Sequence, residues 1–152
     1  MPGDQRIITE LESTRNATLE YFALPEEMLD RNYGQNKWSV RFILHHLADT
    51  ETFYYDRIRR ILSEPEFIHS GFNERAWAHG LDYSRLPLIL GCQTYASARA
   101  ALIYLARLHY ETSAGISFTH RELGIQTLRH VFDKVVSHNE KHLGHIRLAL
   151  SD

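Results

Sequence analysis

Cysteine is almost missing from this chain. Cys92 stands alone, which excludes an internal disulfide and any cysteine-rich zinc site; a reducing cytoplasm fits such a chain. Long apolar runs are missing too. None approaches the ~18 residues that a membrane span needs, and the opening Met1-Pro2-Gly3-Asp4-Gln5-Arg6 has no hydrophobic segment behind it, so no secretory signal is expected. There is no strong excess of either charge. A net charge of −2 with neutral histidines gives no whole-molecule attraction to nucleic acid or to an anionic membrane. No internal repeat stands out, and no stretch alternates as a strand does.

What remains is helical pattern and histidine. The 152 residues, 43% hydrophobic and 24% charged, suffice for one domain, 1–152, with a sizeable core. A first helix is expected from Asp4 to Phe22, interrupted by Pro25, with one further turn over Glu26-Glu27-Met28-Leu29. Arg31 to Lys37 reads as a loop. A second helix begins near Ser39, a suitable N-cap, with Trp38 placed to pack on Ile43. Val40, Ile43, Leu44, Leu47, Tyr54, Ile58, Ile61 and Leu62 give it one apolar stripe, and Pro65 ends it. From Glu64 to Leu90 the pattern is weak and broken by Gly71, Gly80 and Pro87. That length suits a crossover connection carrying a short helix or two. A third helix covers Cys92 to Tyr110, rich in alanine. Thr119-His120-Arg121-Glu122 has the form of a capping box, with Gly124 limiting the piece to one turn. A fourth helix runs from Thr127 to Leu150. The sum is an all-α, four-helix bundle with a long crossover between helices 2 and 3.

Ten histidines is a high count, and five of them follow residue 119. His138 and His142 lie four apart, a step that returns side chains to one side of a helix, about 5–6 Å apart at Cβ. Two imidazoles so held can bind one transition-metal ion. At ~100° per residue, His142 falls in the middle of the buried stripe marked by Leu128, Phe132, Val135, Ile146 and Ala149. His138 lies roughly 40° off it, and His145 slightly further out. A third ligand is available in Leu44-His45-His46-Leu47. His45 points nearly opposite its helix's stripe, toward solvent or an interface; His46 is better placed but also off centre. Three histidines leave a coordination position open for water or substrate, as catalytic metal sites do. Glu51 sits within the apolar stripe, where an unpaired carboxylate is costly. It reads as a carboxylate orienting a metal-bound histidine, as a general acid or base, or as a long side chain reaching the surface or an arginine partner. Asp49 falls on the polar face, and Arg57-Ile58-Arg59-Arg60 reads as a solvated charge run.

The run Trp38-Ser39-Val40-Arg41-Phe42-Ile43-Leu44-His45-His46-Leu47-Ala48 resembles the Trp-Ser and His-Leu-Ala motif of the DinB/YfiT-like superfamily. His138-Asn139-Glu140-Lys141-His142-Leu143-Gly144-His145-Ile146 resembles that family's last helix, with its His-x-x-x-His pair often followed by Gly-Gln-Ile. The resemblance implies a four-helix bundle with a divalent metal, such as zinc, nickel or iron, on three histidines. These fall on His46, His138 and His142. His145 stands where the family often has glutamine, which adds a possible fourth ligand or proton relay. The resemblance also implies a homodimer and a small-molecule substrate. It points to either a metal-dependent hydrolase or an enzyme using a low-molecular-weight thiol, such as a mycothiol- or bacillithiol-dependent transferase or a maleylpyruvate isomerase.

Two chemistries follow for a three-histidine ion: generation of a hydroxide nucleophile at neutral pH, or activation of a thiol as thiolate. An anionic thiol would want cations nearby, and Arg41 and Arg57 lie on the helix bearing His46. The competing reading is a non-catalytic helical binding protein that retains a metal site, with Phe67, Phe72, Trp77 and Tyr83 at an interface, in a pocket or capping the core. A haem bundle has nothing beyond the histidine count behind it.

Overall fold

The computed structural model describes residues 3–151. Six helices and one hairpin follow in order: α1 (Gly3–Tyr21), α2 (Glu26–Leu29), α3 (Val40–Ser63), α4 (Glu74–Gly80), α5 (Leu88–His109), β1 (Ser117–His120), β2 (Gly124–Thr127) and α6 (Leu128–Leu150). The four long helices form the bundle. α3 packs on α5 and α6, and α1 packs on the same two, so α1 lies diagonally opposite α3. No described helix is long and apolar enough to cross a membrane.

Local chemistry sets the helix starts. The Ser39 hydroxyl accepts from the N–H of Phe42, and that of Thr127 from the N–H of His130, each satisfying an orphan donor of the first turn. The third long helix starts earlier than expected, at Leu88, because Pro87 sets an extended φ, ψ just before it.

The core has two apolar parts. One gathers Ile7, Leu11, Ile58, Leu102, Phe132 and Val135 with their neighbours. The other gathers Leu29, Ile43, Leu44, Leu47, Tyr95 and Ile146. Between them along every long helix lies a polar layer: Thr14 and Thr18 on α1, Glu51 on α3, Arg99 on α5 and Asn139 on α6, all buried.

Three expectations are corrected. The segment with capping-box form is a β-hairpin, with Ser117 opposite Thr127 and His120 opposite Gly124. Gly124 turns it with a φ of 74°, which suits glycine. Its strands have four residues each; burial alternates along β1, but β2 buries almost nothing, so there is no sustained alternation to mark the pair. His69 in the crossover extends the edge: its N–H donates to the Thr119 carbonyl at 2.9 Å and its carbonyl accepts from Arg121 N–H at 2.8 Å.

Second, His45 does not face solvent. It is 1% exposed, with Nε2 3.1 Å from the Leu86 carbonyl oxygen. α5 crosses so closely that a Cβ on Gly91 would fall 2.8 Å from His45 Nδ1. Every residue from Ile43 to Ala48 is buried, because the crossover covers the flank that the bundle leaves open. Third, Asp49 is not ordinary surface: it is half-buried and accepts the hydrogen bond of Tyr83, whose ring is wholly buried.

The crossover is thus fastened along its length. Phe72 packs between Phe53 and Trp77, with ring centroids 4.7 and 4.6 Å away, and Ala78 is buried. Of the crossover aromatics, Phe67 stays largely exposed beneath Arg60.

Candidate metal centre

α3 presents His46 from its second turn, and α6 presents His138 and His142 from consecutive turns. The ring centroids form a compact triangle: His46 to His138 5.1 Å, His46 to His142 4.7 Å, His138 to His142 4.6 Å. One nitrogen from each ring lies within 4.8 Å of the other two. Nε2 of His46 and Nε2 of His138 are 3.2 Å apart. Two nitrogens bound to one tetrahedral ion at ~2.0–2.1 Å would stand about 3.4 Å apart, so the spacing suits a shared ion. The donor chemistry fits as well. Two converging Nε2 atoms can share only one proton, and the Nδ1 atoms of His46 and His142 are buried without hydrogen-bond partners among the described residues.

The surroundings keep these rings neutral. Burial pushes His46 down to about 4, with the Lys141 charge adding to the effect. Burial, then His46 and Lys141, takes His138 to about 3. Burial, then His138 and His46, takes His142 to about 2. Neutral imidazole is the ligating form.

The same shifts predict an acid-sensitive fold in metal-free protein. Each ring has a folded pKa below the ordinary 6.5. Below pH 6.5 the unfolded chain binds protons that the folded chain refuses, so stability falls with acidification. It is fully present above that pH. Each fully refusing histidine contributes about 1.4 kcal/mol per pH unit to the slope. Urea unfolding in chelator from pH 7 to 5, above most carboxylate titration, should show the decline. A flat profile would mean that the rings are not desolvated.

The cluster opens on a cavity of about 690 Å³ whose wall includes Tyr33, Lys37, Glu74, Arg75 and Lys141 as well as His138 and His142. Trp38 packs against His46 at a steep angle, with ring centroids 5.1 Å apart. Thr50 Oγ1 donates to the His46 carbonyl at 2.7 Å.

The other sequence candidates lie elsewhere. His145 is half-buried on the cavity wall, stacked on Tyr33 at 4.2 Å and 5.2 Å from His142; it is outside the compact donor set. Glu51 faces the polar layer. Arg99 Nε donates to its Oε2 at 2.8 Å and Nη2 to its Oε1 at 2.5 Å, and among the described residues it bonds to no histidine. Arg41 is paired with Glu26 and lies 3.7 Å from Asp30. Arg57 is half-buried rather than solvated, donating to the Ser70 carbonyl at 2.6 Å and lying over the Phe53 ring. Neither arginine lines the cavity.

Sequence reasoning passed over Glu74, Lys37, Arg75 and Lys141, which read as ordinary surface charge. It also passed over Arg99, although a charged residue inside the stripe of Tyr95 and Leu102 was a usable signal.

The sequence profile of the DinB superfamily matches residues 10–146. The chain belongs to the DinB superfamily. Among DinB-related proteins, one from Oceanobacillus iheyensis named "putative metal-dependent hydrolase" is 27% identical over 130 residues, covering 86% of this chain and 75% of that protein. Another of that name, from Bacillus licheniformis, is 30% identical over 129 residues, covering 82% and 71%. A solved DinB-like structure, YfiT from Bacillus subtilis, is described as a probable metal-dependent hydrolase with an unusual four-helix bundle topology. It superposes with a TM-score of 0.84 at 23% identity, covering 95% of this chain and 83% of that one. At that identity the likeness establishes the fold.

Proposed function

We propose that this protein is a metal-dependent hydrolase of a small-molecule substrate, with His46, His138 and His142 holding one divalent ion. The observation that carries this reading is the convergence of three ring nitrogens within 4.8 Å, with two of the rings, His138 and His142, lining an open cavity. The names of its relatives support the same class. A cavity of about 690 Å³ is of the size that small-molecule sites use. Zinc, nickel and iron all accept imidazole ligands.

When bound, the ion supplies Lewis-acid charge and brings the pKa of a water toward neutrality. The chain's own part is to keep that charge effective. Three neutral rings donate nitrogen without cancelling it, and their burial excludes competing protons. Trp38 and Phe72 pack against the His46 ring and help to desolvate it. Lys141 adds positive charge beside all three rings.

A second reading, transfer to a low-molecular-weight thiol, is favoured by one observation. Lys37, Arg75 and Lys141 line the cavity and form no ion pair among the described residues, so an anionic cofactor would find free cations there.

Untagged protein should carry about one metal ion per chain on elemental analysis. Metal-loaded protein should hydrolyse members of an ester and amide panel, lose that activity on dialysis against chelator and regain it with metal. Turnover seen only with an added thiol would favour the second reading. Metal binding with no turnover would favour a non-catalytic binding protein, and absence of metal would end the hydrolase reading.

A further inference from the structure

The crossover carries a carboxylate to the histidine cluster. Glu74, the first residue of α4, places Oε2 3.7 Å from Nε2 of His46. Its side chain is more than half exposed, on the wall of the cavity that His138 and His142 also line. It has no Lys or Arg partner among the described residues, so its charge is not already spent on an ion pair. The segment holding it is fixed on both sides. The Asn73 side chain accepts from the N–H of Ala76 at 3.0 Å, Phe72 packs against Phe53 and Trp77, and Tyr83 donates to Asp49.

Glu74 is near one ring but outside the compact set of three donors. A direct ligand would sit close to all three nitrogens. An oxygen displaced to one side of the three nitrogens would stand beside a water held there rather than replace it, and a carboxylate so placed can take its proton. Glu51, the carboxylate that sequence pattern offers for this task, has both oxygens bound by Arg99.

We propose that Glu74 is the general base of this site, an assignment that rests on the hydrolase reading above. An O–H bond of the attacking water breaks, and its proton passes to the Glu74 carboxylate. The water oxygen forms a bond to the carbonyl carbon of an ester or amide as the C=O π pair moves onto the carbonyl oxygen, and that pair re-forms the π bond when the leaving group departs. The bond from that carbon to the leaving group then breaks, and the leaving group takes the proton back from Glu74. The sum is hydrolysis, with no oxidant or reductant.

The test uses full-length parent, Glu74→Gln and His142→Ala, each offered zinc. Zinc affinity is measured by competition with a chromophoric chelator. Acetohydroxamic acid, a zinc-binding probe with an acidic proton for the base, is titrated into the zinc-loaded forms by calorimetry. Glu74→Gln lies at the surface and should fold. It should keep zinc affinity within about twofold yet bind acetohydroxamic acid about tenfold more weakly, the worth of one charge-assisted hydrogen bond. A tenfold loss of zinc affinity in Glu74→Gln would make Glu74 a ligand and overturn the assignment. Unchanged acetohydroxamic acid binding would overturn it too, because the carboxylate would not face the open position. His142→Ala separates the two levels of inference. If it retains zinc, or if zinc-loaded parent does not bind the probe, the metal reading itself fails. If it loses zinc while Glu74→Gln binds the probe as the parent does, only the role of Glu74 fails.

Discussion

His142→Ala should purify with almost no metal and bind zinc at least about 100-fold more weakly than the parent. Changes to groups that merely orient a ligand cost 10–100-fold, and this change removes a ligand. His142 lies closest to both other rings, at 4.7 and 4.6 Å, so its loss leaves only two donors, His46 and His138, and a gap beside them. His145 is poorly placed to fill that gap. Its ring is stacked face to face on Tyr33 at an interplanar angle of 4°, and a move toward the cluster would break that contact. His145→Ala should therefore keep its metal, and the contrast between the two variants is the informative result. Elemental analysis and chelator competition measure it. Equal metal content in His142→Ala and parent would refute the three-histidine site. Removing His142 should also make metal-free protein less acid-sensitive, since one of the three proton-refusing rings is gone.

Several features were readable before any coordinates, because local rules govern them. Ser39 caps its helix where an orphan N–H needs an acceptor, and the i, i+4 step of His138 and His142 puts them on one face whatever else the chain does. Periodicity favoured His46 over His45 only modestly, because it assumes one buried face. The first half of α3 is buried all round, since the crossover and α5 enclose the flank left by α1 and α6, so an angle cannot rank its residues. The family motif favoured His46, and that ring is the one beside His138. The hairpin was missed for a related reason. Its pairing is a non-local contact between two four-residue strands, one almost wholly exposed, and Thr119 and Glu122 happen to match the spacing of a capping box. Glu74 left no mark at all, because an exposed glutamate after an asparagine cap is what any short helix would carry.

Arg99→Ala should destabilise the fold by about 3–5 kcal/mol, a large part of the ~5–15 kcal/mol that holds a typical domain together. Arg99 is wholly buried. Besides its two bonds to Glu51, it donates from Nη1 to Thr14 Oγ1 at 2.6 Å and to the Leu11 carbonyl at 3.0 Å, and from Nη2 to Asn139 Oδ1 at 2.6 Å. One side chain therefore joins all four long helices. Burial pushes the guanidinium pKa down, and the charge and hydrogen bonds of Glu51 more than restore it, so the guanidinium stays charged. Truncating Arg99 strands a buried carboxylate, and the penalty comes chiefly from that desolvated charge rather than from the attraction lost. Two further variants separate these causes. Arg99→Lys keeps the charge but not the forked geometry, and should lie between parent and Arg99→Ala. Arg99→Met combined with Glu51→Leu removes both charges and should recover most of the stability, as replacement of buried ion pairs by apolar groups often does. The layer also reaches the histidines. Asn139 follows His138 on α6, accepts from Tyr95 at 2.7 Å and donates to Thr18 at 2.9 Å, so this layer fixes how α6 is rotated toward α3. Zinc affinity should then weaken in Arg99→Ala even where the protein remains folded. Urea unfolding of the four proteins at pH 7.5, with and without zinc, measures both effects. A cost below about 1 kcal/mol for Arg99→Ala, the range of an exposed ion pair, would show that water reaches Glu51 and that the layer does not hold the helices in place.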